Sequence, residues 1–367
     1  MNILFTYLVG FSGNGGIERF NRCFIRACNE ICEAKNNNFH AVSVYDSKTN
    51  PEYLHESKFT GYNKSKLRYI LLSFLQSFSF DTIIIGHVNL AILGLLIKCF
   101  LPNKKVILIA HGIEIWHIKI GYKIHFLKKV NQIFCVSNYT KMVIERKYKL
   151  DSGKISVLHN TLDPGFSFPK SFQKPTYLLD RYKLSNEVPI VLTITRMSHH
   201  EKYKGYDLVL EAISSIVKTQ QVKYVLGGKY THQEKLRLDM MIDFLGLNDY
   251  IIFPGYIPES ELIDYYLLGD VFVMPSKKEG FGIVFIEALA CGLNVIGGNK
   301  DGTVDALLNG TLGTLINPDN VSEIESALSK NISLKKSEVD KLQTQQKLIE
   351  TFGFNTYKHK LETLIFT

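Results

Sequence analysis

Two glutamates, Glu279 and Glu287, bracket a Gly-Phe-Gly turn in the stretch 274–292, MPSKKEGFGIVFIEALACG. Ahead of them an apolar run over residues 270–274 reads as a strand ended by Pro275-Ser276, and behind them an amphipathic pattern reads as a helix. A strand, a glycine-rich turn and a helix N-terminus leave the backbone N–H groups of Phe281, Gly282 and Ile283 free to face an anion. Upstream, Thr195-Arg196 closes another apolar run and Lys204-Gly205 opens a helical pattern. A guanidinium and an ammonium converging on a helix N-terminus suit a diphosphate, the arginine adding bidentate hydrogen bonds.

Other strand ends carry further candidates. In Ile109-Ala-His111-Gly112 a histidine sits at a strand–loop junction before a glycine, where active-site residues concentrate. Gly13-Asn14-Gly15-Gly16-Ile17-Glu18 follows the first strand and opens a helix, and its glycines permit close backbone approach to a ligand. It is not G-x-G-x-x-G, and Glu18 is equally a helix-start charge. Ser137 follows a strand too; an ordinary helix N-cap explains it as well as a place on an acceptor side. Gly227-Gly228 and Gly255-Tyr256-Ile257 recur at equivalent strand ends. His199, His200 and Glu201 are consecutive on a loop, and three such neighbours rarely converge on one ion.

The 274–292 block resembles the signature of the retaining glycosyltransferases of the GT-B fold, in the large family 4 that includes bacterial mannosyltransferases, sucrose synthases and polysaccharide and O-antigen enzymes. The resemblance implies that Glu279 holds the transferred sugar and that Glu287 binds the ribose hydroxyls of the nucleotide. It places Gly15 and Gly16 against donor phosphate or acceptor. It places His111 on the donor sugar, with its backbone carbonyl near the reacting carbon. It wraps the turns at Gly228 and Ile257 around the base. The family's Gly-Arg, variable loop, Lys-Gly pattern is matched by Arg196 and Lys204, with Thr195 in place of the glycine and a longer loop, MSHHEKY, in which Lys202 is an alternative to Lys204. Thr161 likewise replaces a glycine after His159-Asn160.

The implied reaction moves a hexose from a nucleotide sugar to a hydroxyl of a polyprenyl-diphosphate-linked oligosaccharide in O-antigen or capsule synthesis. His111, Glu279, Arg196 and Lys204 would act at the reacting centre, with the leaving phosphate taking the acceptor's proton. The two glutamates are then binders, not the acid and nucleophile of a glycosidase. No Asp-x-Asp occurs in the chain, which argues against the metal-dependent class, so neither metal nor cofactor is expected beyond the nucleotide-sugar co-substrate. A sugar-nucleotide 2-epimerase on the same architecture is a rival reading, as is a non-enzymatic protein that binds an anionic surface or nucleic acid. No nucleic-acid motif supports the last, and nucleic acid is not an expected partner.

These residues need a scaffold. Short Ile- and Val-rich runs alternate with helical patterns through residues 1–158, and strand candidates resume at 189–195, 222–226, 250–253, 270–274, 294–296 and 313–316. Such alternation predicts parallel, doubly wound sheets. The stretch 161–187, rich in proline, reads as a linker. The expected fold is α/β: two Rossmann-like domains, 1–180 on the acceptor side and 181–349 binding the nucleotide sugar, facing across a cleft. A final helix at about 350–367 crosses back to the first domain, as in the GT-B family.

The 46% apolar composition suits a globular chain. Residues 1–180 carry 23 Lys and Arg against 12 Asp and Glu, whereas residues 181–367 carry 20 against 23, so the first half is expected to face something anionic. Six cysteines without a metal or redox spacing read as buried thiols in a reducing cytoplasm. The apolar N-terminus lacks a basic n-region and reads as a first strand, and the longest apolar helix candidate, residues 90–97, is too short to cross a bilayer. Two segments mix lysines with apolar residues as interfacial segments do, one over residues 64–75 and one over 117–130. They suggest a cytoplasmic protein peripheral to the inner face of the membrane.

Overall fold

A computed structural model describes residues 1–366; Thr367, the end of the expected final helix, lies outside the described residues. The chain divides into two compact units, Met1–Gly165 with the segment from Phe352 onward, and Phe166–Thr351. Each is built on one parallel sheet within an α/β layer structure.

The first unit is built on β1 (Ile3–Tyr7), β2 (Phe39–Ser43), β3 (Phe59–Gly61), β4 (Thr82–Ile85), β5 (Lys105–Ala110), β6 (Gln132–Cys135) and β7 (Ile155–Val157). Their order in the sheet is β3-β2-β1-β4-β5-β6-β7, every pairing parallel. Leu4, Ile83, Ile85, Val106 and Leu108 point into one core while Ile3, Phe5, Ile84, Ile107 and Ile109 are buried on the other face. Burial on both faces is why these strands read as continuous apolar runs instead of alternating ones. The three-residue edge strand β3 was not expected, because its half-buried Phe-Thr-Gly makes no apolar run.

The second unit holds β8 (Ile190–Ile194), β9 (Lys223–Gly227), β10 (Ile251–Gly255), β11 (Val271–Met274), β12 (Asn294–Gly298) and β13 (Thr314–Ile316), in the order β10-β9-β8-β11-β12-β13. The division of the chain falls ahead of residue 180. The proline-rich stretch carries a helix, Thr176–Tyr182, and is tied into the second unit by Lys174 to Asp270 (2.7 Å), by Arg181 to Glu261 (2.8 Å) and by the Tyr182–Tyr265 hydroxyl pair. It is packed structure, not a free linker.

The final helix, Phe354–Phe366, packs on the Gly16–Ala34 helix of the first unit through Tyr357, Leu361 and Ile365, all buried. Lys358 to Glu30 and Lys35 to Glu362, each at 2.7 Å, flank that seam. No disulfide joins any of the six cysteines; Cys23, Cys28 and Cys32 are buried along the Gly16–Ala34 helix, and burial pushes the Cys32 thiol up to about 11. Among the described residues no helix is long and apolar enough to cross a membrane.

Candidate functional site

In an open α/β sheet, ligands bind outside the carboxyl ends of the strands, where the strand order reverses. In the first unit that reversal lies between β1 and β4. The loop Gly13–Gly16 follows β1, His87 follows β4 and His111 follows β5, so all three meet one sheet edge. Asp46, buried at the end of β2, shapes the loop by accepting from the backbone N–H of Gly10 and Ser12 (2.8 Å each) and from the Ser12 hydroxyl (2.7 Å). A Cβ on Gly15 would lie 2.4 Å from Glu18 Oε2, whereas one on Gly16 would meet nothing within 4 Å. Glu18 therefore closes the loop from behind, and Gly16 offers its backbone to open space.

His111 is buried. Its Nε2 donates to the Gly86 carbonyl at 2.8 Å, its backbone N–H donates to Glu114 Oε1 at 2.7 Å, and Phe20 packs edge-on at 4.8 Å between ring centroids. Burial holds its pKa below the ordinary histidine value, with Glu114 and Glu18 acting against that. Ser137 differs from what an acceptor-side residue requires. It is fully buried, and its hydroxyl caps the Asn138–Tyr148 helix by accepting from Thr140 N at 3.1 Å. The cap explains the residue.

In the second unit the reversal lies between β8 and β11. Thr195-Arg196 follows β8, Gly228 follows β9, Ile257 follows β10 and Glu279 follows β11. Gly228 sits at φ +127°, where a Cβ would fall 1.8 Å from the Thr195 carbonyl, and its N–H donates to the Gly255 carbonyl at 2.8 Å. A Cβ on Gly227 would meet Ile257 Cδ1 at 2.5 Å. These three strand ends are thus packed backbone against backbone, which only glycine permits.

Gly205 (φ +81°) brings the β8 loop against the Pro275 carbonyl, 2.5 Å from where a Cβ would stand. That approach sets Lys204 in an ion pair with Glu279, their side chains 16% and 14% exposed. Burial pulls the Lys204 pKa down, and Glu279 more than offsets it, so the ammonium is held above its ordinary range. Arg196 does not converge with Lys204. It is 71% exposed and turned back on its own loop, paired with Glu201 at 2.8 Å. Each cation expected at the diphosphate is therefore held by a carboxylate in this conformation.

Glu279 is fixed through its main chain. Its N–H donates to Asp301 Oδ2 at 2.7 Å and its carbonyl accepts from Gly302 N at 2.8 Å. Burial of Asp301 pushes its carboxyl up to about 7, the charge of Glu279 adding to the effect and the bonds from Glu279 and Thr303 opposing it. Gly282, at φ +89°, caps the Ile283–Ala290 helix. The side chains of Phe281 and Ile283 are buried, so their main chain is what they offer a ligand. On that helix Glu287 is buried too, and Tyr266 Oη donates to its Oε2 at 2.8 Å. Among the described residues no group of three His, Cys, Asp or Glu side chains is placed to hold a metal ion, and His199–His200–Glu201 is no exception.

Residues 30–166 match the family model for Glycosyltransferase Family 4, and residues 180–349 match that for glycosyl transferases group 1. Both matches are to models of glycosyltransferase domains, one over each half of the chain. A GDP-mannose-dependent alpha-(1-6)-phosphatidylinositol monomannoside mannosyltransferase of Mycolicibacterium smegmatis is 26% identical over 61% of this chain and 60% of its own length. The chain thus spans less than two thirds of that relative. An uncharacterized 41.2 kDa protein in the cps region of Klebsiella pneumoniae is 23% identical over 72% of this chain and 74% of its own. The crystal structure of Anabaena Alr3699/HepE in complex with UDP aligns over 100% of both chains with a TM-score of 0.79 at 17% identity, a likeness of fold.

Several residues at or near the two sheet edges escaped the sequence reading: Asp46, His87, Tyr266 and Asp301. Gly86-His87 carries the same signal as Ala110-His111, a histidine just past a run of buried β-branched residues, and could have been found by it. Asp301 and Tyr266 could not, because their partners Glu279 and Glu287 are about twenty residues away in sequence.

Proposed function

We propose that this protein transfers a hexose from a nucleotide sugar to a hydroxyl of a lipid-linked saccharide, with retention of anomeric configuration and without a metal ion. The observation that carries the reading is the largely shielded Lys204–Glu279 pair beside the Gly282 helix start, at the switch point of the second sheet. Loss of a nucleoside diphosphate builds negative charge on phosphate and positive charge on the sugar ring. Lys204 and the main-chain N–H groups at Gly282 and Ile283 face the first, and Arg196 joins them once it leaves Glu201. Glu279 holds the sugar, Glu287 the ribose, and the departing phosphate accepts the proton of the attacking hydroxyl. The mannosyltransferase relative uses GDP-mannose and the Anabaena structure holds UDP, so both classes of donor are reasonable probes. Incubation with UDP-, GDP-, ADP- and dTDP-sugars should release nucleoside diphosphate from one of them, equally well in EDTA. Activity abolished by EDTA and restored by manganese would overturn the metal-free reading. An altered nucleotide sugar without release would favour the epimerase.

A lipid-borne acceptor requires the protein to reach a membrane surface. Between Ser57 and Ile113 the only acidic residue is Asp81, against seven Lys and Arg. Within that stretch the Lys66–Gln76 helix exposes Leu67 (85%), Leu71 (60%) and Leu75 (53%) at successive helical turns, beside Lys64, Lys66 and Arg68. The 117–130 segment has less to offer, since Ile118, Phe126 and Leu127 are buried and Lys123 is bonded to Asn89. Near an anionic leaflet each such charge contributes about 1 kcal/mol, and the effect fades with salt. The protein should co-sediment with phosphatidylglycerol vesicles, less so at high salt, and release when Lys64, Lys66 and Arg68 become serine. Equal sedimentation with phosphatidylcholine, or none with either lipid, would overturn the contact.

A further inference from the structure

The loop that carries Glu279 runs from the end of β11 to the helix start at Gly282, and the turn 299–303 after the neighbouring strand β12 clamps it. The contact is backbone against backbone. A Cβ on Gly298 would stand 2.1 Å from the Ser276 carbonyl oxygen, and one on Gly302 would stand 2.0 Å from that of Gly280. Within the clamp both main-chain groups of Glu279 are taken. Its N–H donates to Asp301 Oδ2 at 2.7 Å, and its carbonyl accepts from Gly302 N at 2.8 Å. The other carboxylate oxygen, Asp301 Oδ1, accepts from Thr303 N at 2.9 Å. Asp301 is fully buried, and no cation among the described residues pairs with it. Two peptide N–H groups stand where a counter-ion would.

An ionised carboxylate only accepts, and it serves both N–H groups with charge-assisted bonds. A protonated one must donate through one oxygen, so its hold on the two N–H groups weakens. The Thr303 hydroxyl also faces the carboxyl and can accept that proton. Burial is the main cause that brings the Asp301 pKa up to about 7; the charge of Glu279 adds to it, and the bonds from Glu279 and Thr303 oppose it. The other charged groups on the surrounding elements are engaged elsewhere. Lys277 and Lys300 pair with Asp319, Lys204 pairs with Glu279, and Glu287 accepts from Tyr266. Asp305, on the short helix Thr303–Ala306, is buried as well.

We propose that Asp301 is a positioning residue for Glu279: ionised, it holds the Glu279 main chain so that the carboxylate meets Lys204, and protonated, it lets the loop relax, so that donor turnover is gated by this one proton. The clamp rests on the hydrogen bonds alone; its consequence for turnover rests on the transferase reading. Stability and turnover then run in opposite directions with pH. A carboxyl whose folded pKa is raised loses stability for the fold as pH climbs from the unfolded value through the folded one, yet the ionised form is the one that holds Glu279. A residue that merely kept the unit folded would make the two move together.

Two measurements test this. In protein labelled with 13C at its aspartate carboxyls, the Asp301 resonance, assigned by through-bond correlation, should titrate with a midpoint near 7, and the Glu279 amide proton should shift with the same midpoint. An Asp301 carboxyl that stays ionised well below that midpoint, or a Glu279 amide that does not follow it, overturns the gate. Steady-state release of nucleoside diphosphate from GDP-mannose and UDP-glucose is then followed across the same pH range. In the wild type kcat/KM should rise at least about tenfold through the midpoint, the scale of loss when a reacting group is slightly misplaced. Asp301→Asn keeps one acceptor oxygen but cannot ionise. Its kcat/KM should lie at or below the acid end of the wild-type profile and stay flat, while its stability in denaturant gains on the wild type as pH rises. A flat wild-type profile, or the same rise in Asp301→Asn, overturns the positioning role. If the wild type turns over neither donor, the transferase reading fails, while the carboxyl and amide resonances still decide the clamp.

Discussion

Glu279→Gln is expected to lower donor turnover by about a hundredfold to a thousandfold, the loss seen when one preorganised electrostatic contact is removed from a reacting centre. The same substitution leaves Lys204 without its ion-pair partner in a site where its side chain is only 16% exposed. Breaking a buried pair from one side costs about 3–5 kcal/mol, whereas replacing both partners by uncharged groups of similar size is close to neutral. Stability and activity should therefore part. Glu279→Gln and Lys204→Met alone should each unfold earlier in denaturant, and the double variant should recover most of the stability and none of the turnover. Because the ammonium is held above its ordinary range, the stability that Lys204 contributes persists through neutral pH and is lost as the pH rises above its unfolded value and through the raised folded one. A double variant as unstable as the singles would show that the pair is not the element that holds the two loops together. Turnover retained by Glu279→Gln would remove Glu279 from the reacting centre.

Glu287→Ala should weaken nucleotide binding by about 1.5–3 kcal/mol for each charge-assisted hydrogen bond lost to the ribose. It should also destabilise the second unit, because Tyr266 donates its hydroxyl proton to Glu287 Oε2 in a buried setting and would be left without that acceptor. Losing a buried hydrogen bond to a charged acceptor costs about 1.5–3 kcal/mol. Tyr266→Phe separates the two effects. In the Glu287→Ala background it removes the hydroxyl that lost this acceptor and should restore part of the stability while leaving nucleotide affinity low. Calorimetry with UDP and GDP, paired with denaturant titration, reads both. Full nucleotide affinity in Glu287→Ala would place Glu287 in the core of the unit and outside the ligand's reach.

The strands were legible because a parallel strand buried on both faces leaves a compact apolar run, as in Thr82–Ile85 and Val271–Met274. The turns at Gly228 and Gly282 were legible as glycines at strand or helix ends, and both hold positive φ. The glycosyltransferase resemblance came from the same block, since Glu279, the turn and Glu287 are contiguous in sequence and need no folding to be seen together. Contiguity also set the limit. Edge strand β3 has no apolar run to announce it, and the proline-rich stretch before residue 187 looked like a linker because its anchors, Asp270, Glu261 and Tyr265, are distant in sequence. Residue types placed Arg196 and Lys204 at one site, but which carboxylate each cation meets depends on loop geometry, and there Glu201 and Glu279 separate them. Sequence alone determined where chain direction, glycine and charge recur at strand ends. Tertiary structure decided which of those ends share an edge, how buried each polar group is and which hydrogen bonds set its protonation. Those are properties of packing between segments far apart in the chain, and no local pattern encodes them.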